Sequence, residues 1–373
     1  MKSLRGSSGG IGKYGRRSDA VQLRSAVAVP RLAAMTADAR HAPAFDQLPD
    51  ARAVAAVRWA ATQGRGALDA AAPASADASF RRYFRIRLDG RSYIVMDAPP
   101  EQEDSRPFVK VAALMREAGL RVPEVHAADL GQGFLLLGDL GTRTYLEVMN
   151  AGNAGAYFGR ARAALLRWQA ATRPGALPDY SEALLRRESG LFAEWYLGRH
   201  LSVTLEAEEA AALAEVERLL ARRALAQPQV FVHRDFMPRN LMDGDEQAGV
   251  LDFQDAVLGP VSYDAISLYR DAFASWPAEL VEEELARYHE QARAAGIPVP
   301  EARADFFADC DWMGLQRHLK VLGIFARLGL RDGKRKYLED TPRFVDYVMQ
   351  VAPRYRELQP LAALMARRVL PRL

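Results

Sequence analysis

Phe231-Val232-His233-Arg234-Asp235-Phe236-Met237-Pro238-Arg239-Asn240 is followed nine residues on by Gly249-Val250-Leu251-Asp252-Phe253-Gln254. Both stretches contain short apolar runs, and Asp243-Gly244-Asp245 between them is rich in turn formers. Strand-length apolar runs flanking such a turn predict a β-hairpin. That hairpin would set Asn240 beside Asp252, with Asp235 just ahead of them. Phosphoryl transfer asks for this set: a carboxylate (Asp235) to orient the acceptor hydroxyl, and two oxygen ligands (Asn240, Asp252) for Mg²⁺ on the nucleotide phosphates. His233, directly before the loop, is expected to be a buried hydrogen-bonding residue and not a base.

The spacing resembles the H-x-D-x-x-x-x-N catalytic loop and the metal-binding D-F-G of protein-kinase-like enzymes, with Gln254 in place of the final glycine. Working outward from the hairpin, the N-terminal side reads as a small mixed lobe. A helix is expected over Phe45–Gln63, a loop over Ala67–Ala78, and strands over Ser79–Leu88 and Ser92–Met96 about an Asp89-Gly90 turn. A helix over Ser105–Glu117 and strands near Pro123–Ala127 and Gly133–Leu137 complete it. From Arg143 onward helical periodicity dominates, broken only by the hairpin, with a final helix interrupted at Pro353 and Pro360. The expected fold is α+β and bilobal: a sheet-plus-helix lobe over 45–140, then a helical catalytic lobe over 141–373.

Composition narrows the setting. The chain has 373 residues, 49% of them hydrophobic, enough for a substantial core. It has no run near the ~18 apolar residues of a membrane-spanning helix. With one cysteine, Cys310, an intramolecular disulfide is excluded, and a reducing, cytoplasmic setting is expected. The net charge of +3 arises from the first 34 residues, where seven basic residues face one acid, Asp19. The rest is mildly acidic, giving no footprint for nucleic acid. Residues 1–44 read as a disordered basic tail, or as translated sequence ahead of a start at Met35. No membrane or obligate protein partner is expected.

Within the kinase-like group, one branch is closer. Ser79–Arg85, Tyr93-Ile94-Val95-Met96-Asp97-Ala98-Pro99-Pro100, Asp252–Ala256, Gly259-Pro260, Tyr263-Asp264 and Trp312–Lys320 resemble the anomeric kinases of N-acetylmuramate and N-acetylglucosamine, in the aminoglycoside phosphotransferase-like superfamily. The resemblance implies ATP- and Mg²⁺-dependent formation of a sugar 1-phosphate in peptidoglycan recycling. The alternatives are a kinase of an aminoglycoside or amino alcohol, or a nucleotide-binding scaffold without catalysis.

The chain departs from kinase practice in lacking both a nucleotide lysine on its Ile94-Val95-Met96-Asp97 strand and a glycine-rich phosphate loop. One or two of Arg81, Arg82 and Arg85 are expected to supply the missing positive charge, since guanidinium suits phosphate oxygens, with Ser79 beside them in the nucleotide site. Leu137 and Asp139 mark the expected adenine hinge. For the acceptor, Arg239 is expected to border either sugar or γ-phosphate, and Asp255 to meet sugar hydroxyls or cap a turn. On a helical wheel, Gln316, Lys320, Arg327 and Arg331 share an arc of roughly 60°, a polar and basic face suited to an uncharged or anionic sugar. Asp264 is expected to accept from backbone N–H groups of the catalytic loop or of a helix N-terminus.

Overall fold

The computed structural model describes residues 45–64, 66–76 and 80–373; the basic tail and Ser79 lie outside them. The first helix, α1 (Ala51–Gln63), starts at Asp50, whose carboxylate accepts the Ala53 N–H at 2.9 Å. Such a cap is worth about 1 kcal/mol. Strand β1 (Leu68–Ala76) occupies the segment expected to be a loop. This corrects the sequence reading: Ala, Asp and Pro are poor strand formers, but β1 is a sheet edge paired only with β2 (Arg82–Leu88), where Pro73 is tolerated.

β2 turns into β3 (Arg91–Asp97) through Asp89 and Gly90, at φ 45° and 73°. These are the left-handed conformations of a two-residue hairpin turn, which glycine adopts at little cost. After α2 (Arg106–Glu117) come β4 (Val125–Asp129) and β5 (Phe134–Gly138). The antiparallel sheet has the order β1-β2-β3-β5-β4. Side chains alternate across it. Phe84, Ile86, Val95 and Leu136 pack towards α1, whereas Met96, Leu135 and Leu137 join Phe108, Val111 and Met115 of α2. Both faces are covered, which explains the unbroken Leu135-Leu136-Leu137.

The larger part is helical: α3 (Tyr145–Val148), α4 (Ala154–Ala170), α5 (Glu182–Leu191) and α6 (Ala207–Ala226), with α5 continuing into a wider π-helical stretch, Phe192–His200. Two short ladders follow. β6 (Gln229–Val232) pairs with β9 (Val257–Pro260), and within that pair β7 (Leu241–Met242) meets β8 (Gly249–Val250). The expected hairpin is thus the inner β7–β8 ladder, and the outer one holds its base.

α7 (Tyr263–Tyr269), α8 (Ala278–Ala294), α9 (Arg303–Leu330), α10 (Lys336–Glu339), α11 (Thr341–Val351) and α12 (Gln359–Leu364) complete the chain. The break expected at Pro353 is a short 3₁₀ turn, and Pro360 opens α12. α9 packs against α5, α6, α7 and α11 and is buried on nearly all sides. Among the described residues, no helix is long and apolar enough to cross a membrane.

Candidate active site

The loop between β6 and β7 carries Asp235 and Asn240, and the stretch after β8 carries Asp252. The Asn240 side-chain amide donates to the Asp235 carbonyl at 2.9 Å and reaches Asp252 Oδ2 at 3.4 Å. The Leu251 N–H donates to the Asn240 carbonyl at 2.9 Å, so the backbone fixes this pairing too. Arg234 and Asp252 hold left-handed backbone, φ 77° and 62°. Such strain in non-glycine residues persists where the surroundings enforce it.

His233 is one of those enforcers. It is fully buried, and its Nδ1 accepts the Asp235 N–H at 3.3 Å, so Nε2 carries the proton and donates to the Leu251 carbonyl at 2.9 Å. Burial pushes its pKa down to about 4, so the ring is neutral and bridges the two halves of the site. Asp264, at the start of α7, accepts the N–H groups of His233 at 2.6 Å and Arg234 at 3.0 Å. Both residues have the structural roles expected of them. Burial raises the Asp264 pKa to about 7, against the lowering effect of those two donors.

Asp235 is half-buried. Burial pushes its carboxyl up, but Lys320, Arg317 and Arg234 outweigh this and hold it below the usual carboxylate range. It is therefore an ionised acceptor at neutral pH. Among the described residues no cluster of three His, Cys, Asp or Glu side chains is set up to hold a metal. Asn240 and Asp252 fit a cation that keeps water and phosphate oxygens for its remaining positions, as Mg²⁺ does. With its amide N–H group committed to the Asp235 carbonyl, Asn240 has its side-chain oxygen left as the ligand atom. Gln254 donates to Asp252 Oδ1 at 2.9 Å, orienting the other end of that carboxylate. The residue replacing the D-F-G glycine thus has a supporting role that spacing did not reveal.

The remaining sequence candidates divide. Arg82 is ion-paired with Asp50 and with buried Asp97, and Arg85 reaches Asp139 at 2.7 Å and the Gly141 carbonyl at 2.8 Å. Asp139 also accepts from Ser92 at 2.5 Å and from the Gly141 N–H at 2.9 Å. Burial acts against its ionisation, but Arg85 and Ser92 prevail and its pKa lies below the ordinary value. These groups staple the 138–141 segment to β2 and β3. Arg81 is half-buried ahead of β2. Leu137 is a core residue on the α2 side of the sheet.

The expected basic face on α9 is not a face. Lys320 is buried, pairs with Glu188 at 3.3 Å and donates to the Tyr263 hydroxyl at 3.1 Å. Gln316 is buried and donates to the Leu185 carbonyl at 3.0 Å. Arg331 pairs with Asp332 at the exposed end. The wheel misleads because it presumes one buried stripe, and α9 is packed all round. Arg239 donates to the Tyr337 hydroxyl at 2.8 Å and lies over the Phe273 ring. Asp255 is exposed, next to Gln254 and Arg234.

Two residues that sequence reasoning passed over matter here. Glu188 of α5 accepts from Arg234 and Tyr180 and pairs with Lys320, joining α5 and α9 to the catalytic loop. Arg317 of α9 is buried and contributes to the field on Asp235. No local signal marks Glu188 within a charged helix. Arg317 stood in the Trp312–Lys320 stretch but off the face selected.

The profile of the phosphotransferase enzyme family matches residues 70–306. An N-acetylmuramate/N-acetylglucosamine kinase of Pseudomonas aeruginosa is 56% identical over 294 residues, covering 79% of this chain and 87% of the relative. One of the same description from Neisseria meningitidis is 47% identical over 297 residues, covering 78% and 88%. The fold matches an ADP-bound aminoglycoside phosphotransferase with TM-score 0.54 at 13% identity, over 79% of this chain and 97% of that one. A choline kinase from Streptococcus pneumoniae aligns with TM-score 0.55 at 11% identity, over 76% and 94%.

Proposed function

This chain belongs to the phosphotransferase enzyme family, as an ATP-using kinase of a hydroxyl acceptor, and on that premise we propose that it phosphorylates the anomeric hydroxyl of N-acetylmuramate and N-acetylglucosamine. In this reading the sugar hydroxyl meets Asp235. The hydroxyl oxygen forms a bond to the γ-phosphorus, the bond to the β-phosphate oxygen breaks, and ADP leaves. The hydroxyl proton passes to the Asp235 carboxylate. An anomeric hydroxyl is more acidic than an ordinary alcohol, and a loose transition state asks more for positioning than for a strong base. Asn240 and Asp252 would hold Mg²⁺, which neutralises charge on the phosphate oxygens. The nucleotide is assigned to the side of the five-stranded sheet and the 138–140 hinge, and the sugar to the side of α7 and α9. The resemblance implies a place in peptidoglycan recycling.

The observation that carries the acceptor assignment is the cationic surround of Asp235, formed by Lys320, Arg317 and Arg234. An aminoglycoside bearing several ammonium groups would be repelled there, whereas an N-acetyl sugar is neutral or anionic. The names of the relatives agree with this reading. The test is phosphate transfer from labelled ATP to N-acetylmuramate, N-acetylglucosamine, choline and kanamycin. Transfer to the two N-acetyl sugars is expected. Transfer to choline or kanamycin alone would replace the assignment, and ATP binding without transfer to any of the four would leave a scaffold.

A further inference from the structure

Arg317 is 2% exposed, and its Nε and Nη1 have no hydrogen-bond partner. Buried polar groups are nearly always paired, and a buried cation without partners is costly. The position of the side chain follows from its neighbours on α9. Lys320 touches Tyr263, and a Cβ on Gly314 would lie 3.4 Å from Arg270 Nη1 and 3.5 Å from both the His318 ring and Ile266. Arg317 falls between Lys320 and Gly314 on the helical wheel, on the strip that faces α7. Other buried atoms without partners are both ring nitrogens of His318, also on α9, and Arg270 Nη1 and Asp271 Oδ1 at the end of α7.

Three carboxylates feel Arg317: Asp235, Asp264 and Asp271. None takes up its Nε or Nη1. Both Asp264 oxygens accept from the backbone of the loop after β6, and Asp271 Oδ2 accepts from Phe273 and Ala274, while Asp271 Oδ1 is itself without a partner. The Nε and Nη1 donors are thus open to an anion that arrives from outside, on the side of α7 and α9.

We infer that Arg317 binds the acidic substituent of the acceptor, the lactyl carboxylate that N-acetylmuramate carries and N-acetylglucosamine lacks. This rests on the reading of the substrate given above. Guanidinium and carboxylate form strong charge-assisted hydrogen bonds, most favourable away from water. Lys320, on the basic face expected from the sequence, is already committed to Glu188 and Tyr263, whereas Arg317, three positions earlier, keeps unpartnered donors.

The test compares wild type with Arg317→Gln on both sugars at saturating ATP, alongside the rise in melting temperature that each sugar produces. For N-acetylmuramate, kcat/KM should drop by about ten- to a hundredfold, mainly through KM. For N-acetylglucosamine, any fall in kcat from the lost charge beside Asp235 should be shared, but KM should move less than about threefold. Any extra thermal stabilisation by N-acetylmuramate over N-acetylglucosamine should disappear. Equal losses on both sugars would place Arg317 on the transferring phosphoryl group or in the fold, and would overturn the inference. So would unchanged kinetics on both, or a wild type that accepts only N-acetylglucosamine. If Arg317→Gln does not fold, Arg317→Lys keeps the charge but not the fork, and a loss confined to N-acetylmuramate is again expected, an equal loss contradicting it. A wild type active on neither sugar would defeat the functional reading itself, and the inference with it.

Discussion

The arginines of the five-stranded sheet and the cations around the catalytic loop meet carboxylates in opposite proportions. In the sheet, Arg82 is shared between Asp50 and Asp97, Asp97 also holds Arg52 at 2.9 Å, and Arg85 is matched by Asp139. These arginines are closed on carboxylates that fix the strands and the 138–141 segment. At the catalytic loop, Arg234 and Lys320 share Glu188, while Arg317 keeps unpartnered donors. The surplus of positive charge bears on Asp235. The sequence reading placed the unmatched arginines in the small lobe; the geometry favours α9 as their place.

The largest effect should come from the site itself. Asp235→Asn and Asp252→Asn are each expected to lower kcat by at least about a hundredfold with the fold retained, since positioned proton acceptors contribute ~10²–10⁴. Steady-state kinetics with ATP saturating, paired with circular dichroism, checks this. Near-normal kcat in either variant would remove that residue from its role.

Glu188→Gln probes the surround. It leaves Arg234 and Lys320 buried without their carboxylate, and breaking such a pair costs about 3 kcal/mol or more. Urea unfolding should show that loss. Turnover should also drop about tenfold, because the loop beside Asp235 loses its tie to α5 and α9. Normal stability would mean that Glu188 balances nothing.

His233 gives a pH signature. Its folded pKa, about 4, lies below the unfolded value of 6.5. The unfolded chain therefore binds the proton first, and the stability carried by the neutral ring is full above pH 6.5 and lost as pH falls towards 4. At pH 5 this amounts to about 2 kcal/mol. The gap in unfolding free energy between wild type and His233→Gln should narrow by that amount between pH 7.5 and pH 5. A constant gap would mean that the ring charges normally.

The smallest effect is expected in the sheet. Arg82→Ala should cost about 1 kcal/mol, because the pair is partly exposed and Arg52 remains on Asp97. KM for ATP should move less than about threefold. A tenfold rise would mean that Arg82 leaves its carboxylates for phosphate, which would restore the sequence-based expectation and weaken the contrast between the two regions.

What could be read in advance was local. The Asp235, Asn240 and Asp252 spacing, the Asp89-Gly90 turn and the structural role of His233 are encoded within a few residues of one another, where turn chemistry and period govern. Asp264 was legible because it follows Gly259-Pro260 at a helix start. β1 was missed because an Ala-rich edge strand gains its stability from β2 and not from its own propensities. Glu188 and Arg317 were missed for a different reason. The partner of Glu188 is Arg234, 46 residues away, and α9 touches α5 across 131 residues at Gln316 and Leu185. Wheel analysis of one helix carries no information about what packs on its other sides.

The most direct test of the account is the identity of the product. Purified protein, ATP, Mg²⁺ and N-acetylmuramate or N-acetylglucosamine should give a compound whose ³¹P signal is coupled to the anomeric proton, with loss of the free reducing end. That result is expected for both sugars. A phosphate coupled to the protons on C6, or no sugar phosphate with ATP merely bound, would contradict the claim that Asp235 presents an anomeric hydroxyl to the γ-phosphoryl group.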